Sequence, residues 1–137
     1  MKRNIITLLI TVFAMLQATA QTYDNLWKQA DIIAQKDQPK SEIGVMKKII
    51  SKASAAKDYG QLLAAEIRQA ILWREISPDS LTPNVKRMET EALKAKDPVL
   101  KAVRYAVLGK VYREVNGKKS EEFFKKALEQ PELLARN

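Results

Sequence analysis

The chain has no cysteine and no histidine, and these two absences exclude more chemistry than any residue present supplies. Without Cys there is no disulfide, no thiolate nucleophile and no lipidation at a cysteine, so the fold must be held by its core alone. Zinc sites of the usual kind and His-based triads cannot be assembled. With only 4 glycines the chain also shows no phosphate-binding loop. Any hydrolytic mechanism would therefore rest on carboxylates, Lys or Tyr. No cofactor is expected.

One long apolar run exists, and it stands at the very start. Lys2 and Arg3 precede the apolar stretch Ile5 to Leu16, and Ala18-Thr19-Ala20 follows as a small-residue cleavage site before Gln21. This is the pattern of a secretory signal peptide over 1–20. An uncleaved anchor would need about 20 apolar residues to cross the hydrocarbon core. The run is too short for that, so membrane contact is expected only through the signal peptide before cleavage. The remaining 21–137 are expected to form one helical-repeat domain. At 46% hydrophobic and 29% charged, the chain has the balance of a globular domain.

The formal charge is +8, and loss of Lys2 and Arg3 with the signal leaves about +6. For an exported chain this favours an acidic partner or an anionic membrane surface over nucleic acid. Lys47-Lys48, Lys118-Lys119 and Lys125-Lys126 are spread out, without an arginine run or interleaved aromatics. They read as solvated helix faces, and no nucleic-acid partner is expected.

Every apolar stretch beyond the signal follows the helical period, and none alternates strictly. The spacing predicts an all-α fold of about six helices in three antiparallel hairpins. Tyr23, Leu26, Trp27, Ala30, Ile33 and Ala34 mark the first helix, and Ile43, Met46, Ile49, Ile50 and Ala53 the second, opened by Pro39. Asp58 and Gln61 fit a capping box before a third helix whose apolar residues, Leu62 to Trp73, cover more than one stripe. That breadth predicts a central helix with neighbours on two sides. Thr82-Pro83 is expected to cap and open a fourth helix, marked by Val85, Met88, Ala92 and Ala95, polar enough to lie outermost or pack weakly. Asp97-Pro98 repeats the device for a fifth, with Leu100, Val103, Val107, Val111 and Val115. Asn116-Gly117 is expected to supply left-handed conformation, Ser120 to cap a sixth helix with Phe123, Phe124, Ala127 and Leu128 facing inward, and Pro131 to end it.

Tyr105-x2-Leu108-Gly109-x2-Tyr112 resembles the first helix of a tetratricopeptide repeat, and Ser120-x3-Phe124-x2-Ala127 follows as its second. Tyr23-x2-Leu26-Trp27-x2-Ala30 echoes the pattern with Trp27 at the small-residue position. The resemblance implies a right-handed stack of hairpins, with Gly109 allowing close helix approach. The segment from Gln21 to Leu134 also resembles the N-terminal helical region of exported bacterial alpha-2-macroglobulin-like proteins. That likeness is carried by Tyr23-Asp24-Asn25-Leu26-Trp27-Lys28, Lys36-Asp37-Gln38-Pro39-Lys40, Tyr59-Gly60-Gln61-Leu62-Leu63, Ile76-Ser77-Pro78-Asp79-Ser80-Leu81 and Val107-Leu108-Gly109-Lys110-Val111-Tyr112. It implies a location in the periplasm or cell envelope of a Gram-negative bacterium, and a helical domain preceding macroglobulin domains or standing alone. The family's bait region and Cys-Gln thioester are not in this chain, so no functional residue of the family is carried over.

The expectation is a non-catalytic interaction module whose partner is a protein or the further domains of a longer parent chain. First helices of such repeats line a binding groove, which here would display Asp24, Lys28 and Asp31 from the first helix and Lys110 and Arg113 from the fifth. One alternative is a basic envelope-surface protein that binds anionic lipid or polymer. Another is an envelope hydrolase working through carboxylates, since Glu66, Glu75, Glu89, Glu91, Glu121 and Glu122 are available; spacing presets no pair of them on one face.

Overall fold

The computed structural model describes residues 22–135, so the segment over 1–20 expected to be a signal peptide, with its expected cleavage site, lies outside the described residues. Those residues form an all-α stack of hairpins with no strand among them. The helices are α1 (Tyr23–Ala34), α2 (Pro39–Ala56), α3 (Tyr59–Ile76), α4 (Pro78–Lys94), α5 (Pro98–Tyr112), α6 (Gly117–Ala127) and α7 (Pro131–Ala135). Each packs against its neighbour in sequence from α1 to α6, and α3 also packs against α5. The expected stripes are the observed core: Leu26, Ala30, Met46, Ile49, Ala53, Leu62, Val107 and Leu108 are all buried.

Local chemistry sets the helix boundaries. Lys57 adopts a left-handed conformation, and the N–H of Asp58 reaches back to the carbonyl of Ala53 at 2.9 Å, closing α2. The Asp58 carboxylate then accepts from the N–H of Gln61 to open α3. The return half of the expected capping box is missing, because the Gln61 side-chain oxygen accepts instead from Trp27 Nε1 at 2.6 Å and ties α3 to α1. Asp97 caps α5 as its sequence predicts, accepting from the N–H groups of Val99 and Leu100 at 2.9 and 3.2 Å. Its other oxygen accepts from Tyr59 Oη at 2.6 Å, which fastens the start of α5 to the start of α3.

Several expectations need correction. The fourth helix begins at Pro78, capped by the Ser77 hydroxyl, so Pro83 lies inside it. An earlier cap with its own following proline starts the helix one turn sooner, and Pro83, now past the first turn, leaves the Asp79 carbonyl without its usual i→i−4 donor. That helix is also not weakly packed: Leu81, Val85, Met88 and Ala92 are buried against α3 and α5. Asn116, not Ser120, caps α6, from an extended conformation, and no described glycine has positive φ. The left-handed positions are Asp37 and Lys57. Pro131 opens the short α7 rather than ending α6, making seven described helices, and Leu128 (58% exposed) and Val115 face outward because both lie past the ends of their helices.

The close helix approach expected at Gly109 is observed between α5 and α6. A Cβ built on Gly109 would stand 2.7 Å from Phe124 Cδ1, inside van der Waals range, so only glycine lets α6 lie this close to α5. Ser120 Oγ donates to the Gly109 carbonyl at 2.7 Å across the same contact. On the adjacent face Phe123 stacks between Tyr105 and Tyr112, with ring centroids 6.0 and 5.6 Å away.

Two predictions follow from this packing. Gly109→Leu should cost about 1–3 kcal/mol, and combining it with Phe124→Ala should cost clearly less than the two single changes together, read from urea midpoints. Strict additivity would show that the two residues do not share the contact. Tyr59→Phe should cost about 1–2 kcal/mol at pH 7. Burial, then the bond to Asp97, pushes the Tyr59 hydroxyl from its ordinary 10.0 up to about 12, so its contribution is complete below pH 10.0 and is lost as pH rises through 12. The Tyr59 bond and the backbone N–H of Leu100 hold Asp97 below its ordinary 3.8, so on the acid side the contribution is lost as pH falls through that lower value. A stability gap that stays constant from pH 7 down to about 2 would show that the Asp97 carboxylate is not the acceptor.

Candidate functional site

The expected groove residues do not form one cluster. Asp24 and Lys28 are exposed on α1, Asp24 in the first turn where a negative charge suits the helix dipole. Asp31 accepts from Arg68 Nη1 at 2.9 Å, which joins α1 to α3. Lys110 is exposed on α5 and lines a shallow hollow of about 140 Å³ together with Ile67, Ala70 and Ile71 of α3 and Val111. An ion pair between Arg74 and Glu114 stands at the rim of the same hollow. Arg113 lines a separate cleft with Gly117, Glu121 and Phe124 of α6 and Leu128 just past it. The α1, α3 and α5 face therefore gathers Asp31 and Lys110 around α3, while Arg113 points the site toward a different helix pair.

Sequence reasoning missed the burial of Glu42, Glu66 and Gln69. Glu42, only 3% exposed on α2, accepts from Arg68 Nε at 2.5 Å, so one arginine bridges α1, α2 and α3. Glu66 and Gln69 are buried on α3. Their signal in the sequence is a Glu or Gln set within an apolar breadth that otherwise surrounds the helix.

Around Glu66 the fold brings together carboxylates that spacing alone did not. Arg104 Nη1 of α5 stands 3.4 Å from Glu66 Oε1 and 2.6 Å from Glu91 Oε2, and Arg87 Nη1 donates to Glu91 Oε1 at 2.5 Å. Burial pushes the Glu66 carboxyl up, against the pull of Arg104 and with the nearby Glu91 adding to the rise. Partial burial works upward on Glu91 too, but the hydrogen bonds from Arg104 and Arg87 outweigh it and hold Glu91 below the usual range. Of the other expected carboxylates, Glu89 accepts from Tyr112 Oη at 2.7 Å and Lys119 at 3.3 Å, Glu121 pairs with Lys125 at 2.8 Å, and Glu75 and Glu122 are exposed. Among the described residues no group of three or more acidic side chains could hold a metal ion.

Beside this network lies a cavity of about 360 Å³ between α2, α3 and α4, on a different face of α3 from the Lys110 hollow. Compared with known proteins, the chain matches no family model, no curated protein and no solved structure.

The Arg68 bridge yields a direct prediction. Arg68→Met leaves the Glu42 carboxylate buried without its cation and should cost about 2–3 kcal/mol, reduced from the fully buried case because solvent reaches part of Arg68. Adding Glu42→Gln should recover part of the loss in thermal unfolding, whereas Asp31→Asn, at the exposed end of the bridge, should cost under about 0.5 kcal/mol.

Proposed function

We propose that the chain is an exported, non-catalytic helical-hairpin module that holds a protein partner, or further domains of a longer parent chain, against the face made by α1, α3 and α5. The observation that carries this reading is apolar exposure on that face. Ile71, 42% exposed, lines the Lys110 hollow, with Ile67 and Val111 beside it. The groove is rimmed by charges, Lys110 and the Arg74–Glu114 pair, in the arrangement of an apolar centre with a polar border. Lys28 of α1 would supply a further charged contact along the same run of first helices.

The resemblance of Tyr23 to Lys28 and of Val107 to Tyr112 to the helical region of alpha-2-macroglobulin-like proteins supports placing the module in the cell envelope. Protease trapping would be a property of such a parent, since the chain holds no thioester cysteine. Export rests on the signal-like 1–20 segment. Envelope material should begin at Gln21, and an intact Met1 on N-terminal sequencing would remove this part of the reading.

The test uses charge reversal. Lys28→Glu with Lys110→Glu should weaken a partner recovered from envelope extracts by about tenfold or more, with the helical circular dichroism signal unchanged because exposed charges contribute little to folding. Arg113→Glu, in the separate cleft, should leave the partner bound. Equal recovery by the double variant would remove the groove, and a hydrolytic rate that survives purification would overturn the non-enzyme reading.

A further inference from the structure

The outer side of α6 carries an inference independent of the groove. The α1–α2 hairpin closes one end of the stack and the α5–α6 hairpin the other, and the end faces of a repeat stack must be polar wherever water covers them. On the first end α2 meets this condition, turning Lys40, Ser41, Lys47, Lys48 and Ser51 outward and no large apolar side chain. The second end does not. Phe124 is 36% and Leu128 58% exposed, and with Gly117 and Glu121 they line an open hollow of about 570 Å³ on one side of α6. The short α7 leaves this strip uncovered, because it packs against α5 and meets α6 beside Lys126 and Ala127 instead.

The spacing of the strip selects its occupant. Gly117, Glu121, Phe124 and Leu128 stand four, three and four residues apart, along one helix face of about three turns. These intervals read the same from either end, so the strip is complementary to itself when two copies meet antiparallel about a twofold axis. That pairing sets Gly117 against the partner's Leu128 and Glu121 against the partner's Phe124. The sizes fit: a side chain at Gly117 would meet nothing within 4 Å, and Leu128 is the most exposed apolar side chain of the strip. The charges fit as well. Glu121 and Lys125 share one flank, paired within the copy at 2.8 Å, and the antiparallel arrangement brings each Glu121 beside the partner's Lys125. A head-to-tail contact lacks this match, since α2 at the other end offers lysines to an apolar strip. We infer that this strip of α6 is the interface of a twofold dimer, in which each copy lays Leu128 into the opening at the partner's Gly117.

One pair of three-turn helix faces buries less than the roughly 1,200 Å² at which standard interfaces begin, so the dimer is weak and reversible, with a dissociation constant on the order of 100 µM. Sedimentation equilibrium of the full chain from about 5 to 500 µM should show monomer giving way to dimer and to no larger species. Gly117→Leu fills the opening without a clash inside the copy. It should weaken the dimer about tenfold or more and leave the melting temperature of the dilute monomer no lower. Leu128→Ala, at an exposed position, should weaken the dimer to a similar degree. The two changes together exchange large and small across the same contact, and should bring the dissociation constant back to within about threefold of the unchanged chain. A surface that is merely apolar would not show this recovery. A chain that stays monomeric across the range leaves the strip to a different protein, and assembly that grows past the dimer points to a head-to-tail contact. Association that neither single change weakens lies elsewhere in the chain, the 1–20 segment included. Any of these three results, or a double variant no better than the single ones, would overturn the proposal.

Discussion

A polar group turned toward a packed neighbour must find a partner, and α3, with neighbours on several sides, is under that constraint wherever it faces them. It packs against α2, α4 and α5, and Trp27 and Asp31 tie it to α1. Its polar residues are consequently the joints of the molecule. Gln61 takes the bond from Trp27, Arg68 gathers Asp31 and Glu42, and Glu66 meets Arg104. Its first residue, Tyr59, is held by the cap of α5. Gln69, buried on the same helix, lines the cavity between α2, α3 and α4.

Much of the architecture was legible because burial along a helix repeats every three to four residues, and the stripes of Met46, Ile49 and Ala53 or Val103 and Val107 can serve no other geometry. Caps were legible where a short acceptor stood directly before proline, as at Asp97-Pro98. They were misread where two such signals competed. Ser77-Pro78 precedes Thr82-Pro83 by little more than one turn, and the helix started at Pro78 continues through Pro83 with the loss of one i→i−4 bond. Residue type alone makes Ser120 a cap, but a hydroxyl inside a helix is satisfied just as well by a carbonyl across a close interface.

The candidate site was less legible for a different reason. Sequence places a charge on a helix face but does not say which face of the next helix it meets. Lys110 and Arg113 are three residues apart and were assigned together, yet the start of α6 draws Arg113 into its own cleft. Glu66 and Glu91 are separated by a whole hairpin turn and meet through Arg104, a residue of a third helix. Such meetings depend on tertiary packing, which single-helix periodicity does not encode.

The sharing of α3 has a consequence for how the molecule comes apart. In a stack where each hairpin touched only the next, the units could open one at a time, with nearly additive stabilities. Here α3 is bonded to both flanks, by Arg68 on one side and Tyr59 on the other, so releasing it breaks contacts to every hairpin at once. Amide exchange should therefore be graded from the outside inward, quick in α1 and α7 and slowest in the middle of α3, where opening is equivalent to unfolding the whole domain.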